Sequence, residues 1–84
     1  MQLELFHAIS DPGSAQVRKY VVDHDLLEAV RFRNVTYEEV QRDLTAHGGT
    51  SAPALWDGER LYVGAEAIIA RIVAHADVGR HSSS

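Results

Sequence analysis

Ser10, Asp11 and Ser14 stand close together around Pro12-Gly13, just before a stretch with helical periodicity. They are the side chains whose types and spacing come nearest to chemistry. An aspartate at such a place is a candidate acid or base. The positive end of the helix dipole favours its ionised form, however, which makes it a poor proton donor. Capping the helix is the preferred role for Asp11. Ser10 and Ser14 offer hydroxyls for nucleophilic attack or for holding an anion. A nucleophilic serine needs a general-base partner, and none is evident from spacing. Satisfying a free N–H at the helix start is the simpler role for them. Five histidines (His7, His24, His47, His75 and His81) lack the i, i+4 spacing of a helical metal site, so none is assigned a metal. The chain holds no cysteine. That excludes disulfides, thiolate metal sites and any thiol nucleophile of its own.

The elements that position these residues follow from periodicity. Leu3, Leu5 and His7 alternate with Glu4 and Phe6, a strand over about 2–8. Asp11 suits an N-cap and Pro12 the first helical position, where its missing N–H costs nothing. Val17, Tyr20, Val21 and His24 then mark one stripe of a helix from about Pro12 to His24. Val30, Phe32 and Asn34 alternate with Arg31, Arg33 and Val35, a second strand whose two arginines read as a solvated face. Thr36-Tyr37-Glu38-Glu39 has the form of a capping box, opening a helix that Gly48-Gly49 ends near Ala46. Residues 54–57 and 60–63 read as strands joined by an Asp57-Gly58 turn. A helix over about 65–74 follows, burying Ile68, Ile69, Ile72 and Val73. The order β-α-β-α-β-β-α implies an α/β fold: a four-stranded mixed sheet with helices on both faces.

With 84 residues there is room for one domain, assigned to 1–78, with a disordered tail over 79–84. Apolar residues make up 45% and charged residues 24%, an ordinary globular balance. Eight basic and twelve acidic side chains give a net charge of −4, and no basic stripe marks a nucleic-acid partner. No apolar run approaches the roughly 20 residues of a membrane span, and the start has no signal-peptide pattern. The expectation is a cytoplasmic protein.

The order of elements, with Ala52-Pro53 before the third strand, Asp57-Gly58 in the hairpin and Gly64-Ala65-Glu66 opening the last helix, resembles the glutaredoxins. The N-terminal domains of glutathione transferases share the pattern, and both families have the thioredoxin-like fold. The resemblance implies a cis bond at Ala52-Pro53, with the backbone of Ala52 offered to glutathione or to a substrate chain. Gly64-Ala65-Glu66 matches the stretch that meets the γ-glutamyl end. Asp11-Pro12-Gly13-Ser14 lines up with the Cys-Pro-Tyr-Cys loop, placing Asp11 and Ser14 where the family has its thiols. Ala65 also lacks the hydroxyl that transferases place there.

These residues imply a cysteine-free glutaredoxin-like domain without thiol–disulfide activity. Its expected role is a binding module for a peptide, a glutathione-like ligand or a partner protein. The implied groove comprises Ser10, Asp11, Ser14, Ala52, Pro53, Gly64, Ala65 and Glu66. No resident cofactor is expected, glutathione being the one small molecule the resemblance suggests. Nucleic acid and membrane are not expected partners, and the chain is expected to be a monomer or a homodimer. Two alternatives stand beside this reading: serine-type glutathione-transferase activity through Ser10 or Ser14, and a structural dimerisation unit.

Overall fold

Leu3, Leu5, Phe6 and His7 are all buried, so the first strand lies inside the sheet rather than at its edge. In the computed structural model, which describes residues 2–82 with side chains described through residue 76, the elements are β1 (Leu3–His7), α1 (Pro12–Asp23), β2 (Val30–Asn34), α2 (Glu38–Ala46), β3 (Ala54–Trp56), β4 (Leu61–Val63) and α3 (Ala65–Ser82). The four strands form one sheet in the order β2-β1-β3-β4. β1 runs parallel to β2 and antiparallel to β3, and β3 runs antiparallel to β4. The mixed four-stranded sheet and the β-α-β-α-β-β-α order are those the periodicity predicts. Of the expected tail, 83 and 84 lie outside the described residues, while α3 extends into its earlier part.

Successive side chains of a strand point to opposite faces, and β1 uses both. Leu3 and Leu5 enter a cluster with Val17 and Val21 of α1, Ile68 and Ile72 of α3, Val30 and Leu55. Phe6 enters a second cluster with Val40 and Leu44 of α2 and with Ala54. Val35, Trp56 and Leu61 pack against this second cluster. His47 stacks on Trp56 with ring centroids 3.9 Å apart. No helix among the described residues is long and apolar enough to cross a membrane.

Helix ends decide how the loops leave the sheet. Asp11 caps α1 through Oδ2, which accepts the Ser14 N–H at 2.7 Å. At the far end of α1, Asp25 takes φ +54. The Leu26 N–H then reaches back to the Val21 carbonyl and the Asp25 N–H to that of Val22. This is a Schellman closure with aspartate in place of the usual glycine. α2 closes in the same way with Gly48 at φ +88, and the Gly49 N–H bonds to the Leu44 carbonyl at 2.9 Å.

Several side chains sit differently from the expectation. Thr36 does not cap α2, which begins at Glu38 with Tyr37 in the N-cap position and no side-chain cap. The Asn34 Oδ1 takes the Thr36 N–H instead, and this turn absorbs the residues of the apparent capping box. The hairpin pivots on Gly58 (φ +99) and Glu59, while Asp57 precedes the turn and its N–H bonds to the Arg60 carbonyl. Arg31 is solvated but Arg33 is not. Its side chain is 15% exposed, bonded to Glu4 and Asp43 at 2.6 Å each, with the guanidinium over the Phe6 ring. Val73 is exposed, so the buried stripe of α3 is Ile68 and Ile72 with Ile69 at its margin.

Candidate functional site

The C-terminal ends of β1 and β2 lie beside the start of β3 and the end of β4, because Phe6 pairs with Ala54 and Ala54 with Val63. α1, α2 and α3 all begin at that end, each directly after a strand or a short turn. Every candidate residue therefore gathers on one rim of the sheet.

The β1–α1 loop is held from within. Ser14 is fully buried, and its Oγ accepts the Ala8 N–H at 3.0 Å. Its hydroxyl ties the end of β1 to α1 rather than capping the helix start. Arg18 reaches back under the loop. Its Nη1 donates to the Ala8 carbonyl at 3.0 Å and lies 3.1 Å from His7 Nδ1, and Nη2 donates to the Ile9 carbonyl at 3.4 Å. A guanidinium only donates, so His7 Nδ1 must accept and its proton sits on Nε2. Burial lowers the His7 pKa below its ordinary value, and the positive charge of Arg18 lowers it further. Ser10 is exposed at the loop tip. Neither the Ser10 nor the Ser14 hydroxyl bonds a histidine or carboxylate side chain among the described residues; the Ser14 bond to Asp11 runs through its backbone N–H. The partner that would activate a serine is thus not assembled.

The Ala52–Pro53 peptide bond is cis. Pro53 is buried against the start of α1, and a Cβ on Gly13 would lie 3.2 Å from its Cδ and 3.4 Å from its Cγ. That close approach is why a side-chain-free residue follows Pro12. The Pro53 carbonyl accepts the Gly64 N–H at 3.2 Å, and the Gly64 carbonyl accepts the Ile68 N–H in the first turn of α3. Asp11, Gly13, Pro53 and Gly64 thus form one connected patch. Glu66 is exposed in the first turn of α3, and Ala65 is half-buried.

The backbone just before Pro53 behaves otherwise. Thr50, Ser51 and Ala52 have no backbone hydrogen-bond partner among the described residues. Ala52 is half-exposed beside an open depression of about 220 Å³ lined by Val35, Leu44, Thr45, Thr50 and Ser51. Backbone N–H and C=O groups left free in this way can pair with an incoming chain. Residue spacing did not reveal the parts played by His7, Arg18 and Gly13. Arg18 stands among the polar positions of the helix with no spacing signal, and Gly13 reads only as a residue beside proline.

Among the described residues no group of three histidine, aspartate or glutamate side chains gathers as a metal site. No family model, curated protein or solved structure matches the chain.

Proposed function

We propose that this chain is a binding module of glutaredoxin-like, thioredoxin-like type that works without thiol–disulfide exchange and receives an extended, peptide-like ligand at Ala52. The observation that carries the reading is the unpartnered N–H and C=O of Ala52, half-exposed on the rim where Pro53, Asp11 and Gly64 meet. A ligand strand laid beside Ala52 gains two backbone hydrogen bonds there. Each contributes a net ~0.5–1.5 kcal/mol. Two such bonds give at most about 3 kcal/mol, short of the roughly 4 kcal/mol of a millimolar complex. The ligand's side chains must supply the remainder. Glutathione, a tripeptide, is the small-molecule version of such a ligand, and a segment of a partner protein is the larger one.

The test is backbone amide shift mapping on labelled protein with reduced glutathione and, separately, an unstructured peptide. The reading expects perturbations at Ala52, Gly64 and the Ser10–Ser14 loop with at least one of them. Silence at all of these positions with both ligands, at millimolar concentration, rejects it.

A further inference from the structure

The sheet has two edges, β2 and β4. An edge strand carries backbone groups that no neighbour within its own sheet can take. Alternation along the β3–β4 ladder decides which groups of β4 face outward. The Asp57 N–H bonds to the Arg60 carbonyl and the Gly64 N–H to that of Pro53, while Leu55 lies opposite Tyr62. Bonded and unbonded pairs alternate in an antiparallel ladder. Tyr62 therefore turns its N–H and C=O inward to Leu55, and Leu61 and Val63 turn theirs to the open edge. No turn, loop or cap among the described residues bonds to either of them.

The two edges differ in what guards them. When a strand pairs with its own copy about a two-fold axis, the strands run antiparallel and each residue meets the one equally far from the centre. On β2, centred on Phe32, Arg31 would meet the partner's Arg33, and like charges directly opposite are destabilising. On β4, centred on Tyr62, Leu61 meets the partner's Val63, and Tyr62 meets its own copy. This strand carries no charge and no proline, and Val63 is 55% exposed beside its open edge. One step further out, Arg60 stands opposite the partner's Gly64, which leads into the partner's Glu66 in the first turn of α3. Arg60 and Glu66 are both exposed, and neither forms an ion pair among the described residues. The same axis thus sets opposite charges near each other at both ends of the strand.

We propose that two copies of this chain pair through β4, antiparallel about a two-fold axis at Tyr62, joining two four-stranded sheets into one. The outward N–H and C=O of Leu61 exchange hydrogen bonds with those of the partner's Val63, and the axis repeats the exchange. Leu61 covers the partner's exposed Val63, and the two Tyr62 rings meet across the axis, a favourable cross-strand pair. The shared strand is only three residues long. Its contact is far smaller than an obligate interface, so the dimer is weak and reversible. The pairing uses Leu61 and Val63 rather than Ala52, and it stands independently of the binding-module reading.

The experiment measures sedimentation and amide spectra of the chain from about 10 µM to about 2 mM. The expected result is half-dimerisation at about 0.1–1 mM. The Leu61 and Val63 amides shift and exchange more slowly as the concentration rises, Tyr62 is protected throughout, and Arg31 on the other edge does not move. Val63→Lys, at an exposed position, raises the dissociation constant at least about tenfold. Arg60→Glu and Glu66→Arg each raise it about two- to fivefold, and the two changes together bring it back near the wild-type value. A chain still monomeric at about 2 mM overturns the proposal, and so does a dimer whose shifts miss Leu61 and Val63. Growth beyond a dimer with shifts at Arg31 and Arg33 overturns it in favour of head-to-tail pairing of β4 on β2. A double charge variant that associates no better than either single one overturns the two-fold register.

Discussion

Replacing Asp57 by asparagine tests how the β3–β4 hairpin is fastened to α3, and hence how Gly64 is held against Pro53. The Asp57 side chain is 9% exposed and serves four donors. Oδ1 accepts the N–H groups of Glu59 at 2.9 Å and Arg60 at 2.7 Å. Oδ2 accepts Arg71 Nε at 3.1 Å and the Tyr62 hydroxyl at 3.3 Å. Burial alone raises the carboxyl pKa. The Arg60 and Glu59 N–H groups and the Arg71 guanidinium outweigh it and bring it down from 3.8 to about 2. At 1.36 kcal/mol per unit, that depression corresponds to about 2–3 kcal/mol of folding stability. A depressed carboxylate contributes its stability above the unfolded-state pKa and loses it as the pH falls through the folded-state value. The contribution is therefore complete above about pH 5 and fades toward pH 2. Asparagine keeps the shape and one acceptor oxygen but no charge. We expect Asp57→Asn to cost about 2 kcal/mol at neutral pH, a fall in Tm of roughly 8–16 °C for a domain of this size. Urea unfolding at a series of pH values, followed by the fluorescence of Trp56, measures it. The wild-type and variant curves should converge as the pH approaches 2. Curves that stay parallel down to that pH refute the reasoning, because the lost stability would then not belong to the carboxylate.

Ser14→Ala leaves the Ala8 N–H unpaired in a buried place and should cost about 1–3 kcal/mol by urea unfolding. It should not alter ligand-induced shifts at Ala52. Gly49→Ala puts a Cβ 2.4 Å from Leu44 Cδ1 and 2.8 Å from Leu61 Cδ2, and Leu44 is buried. Overpacking of this kind costs about 1–3 kcal/mol, read from the same denaturation. His7 should titrate below its ordinary 6.5 in an NMR pH series, because burial and then Arg18 disfavour the imidazolium. The stability that neutral His7 contributes is present above the unfolded-state value and lost as the pH falls through the folded-state one. Arg18→Leu should move the His7 midpoint back toward 6.5, and an unchanged midpoint contradicts the pairing.

The strands and helices were legible because their apolar periods are clean. Leu3 and Leu5 alternate with Glu4 and Phe6, and Val17 and Val21 recur at helical spacing. Asp11 was legible as a cap because a small carboxylate before Pro-Gly has one obvious use, and Oδ2 takes the Ser14 N–H accordingly. Other features depend on groups distant in sequence. Asp57 reads as a turn residue, and only the fold brings Arg71 to its second oxygen. Arg33 reads as a solvated charge until Glu4 and Asp43, from a neighbouring strand and a helix, close around it. Asp25 gives no composition signal for a left-handed residue, because glycine usually takes that place. Thr36 fits a capping box, but the Asn34 side chain offers its backbone a nearer partner. Ala52 is the hardest case. A lone alanine before proline announces nothing about whether its own N–H and C=O are paired, since that depends on which strand passes beside it.

Amide hydrogen exchange at Ala52, in the free chain and with a saturating unstructured peptide, tests most directly whether that backbone is open to a ligand. The account predicts rapid exchange in the free chain and marked slowing in the complex, while buried Leu5 and Leu55 are slow in both. An Ala52 amide already protected in the free chain, or one that exchanges equally fast with peptide bound, contradicts it.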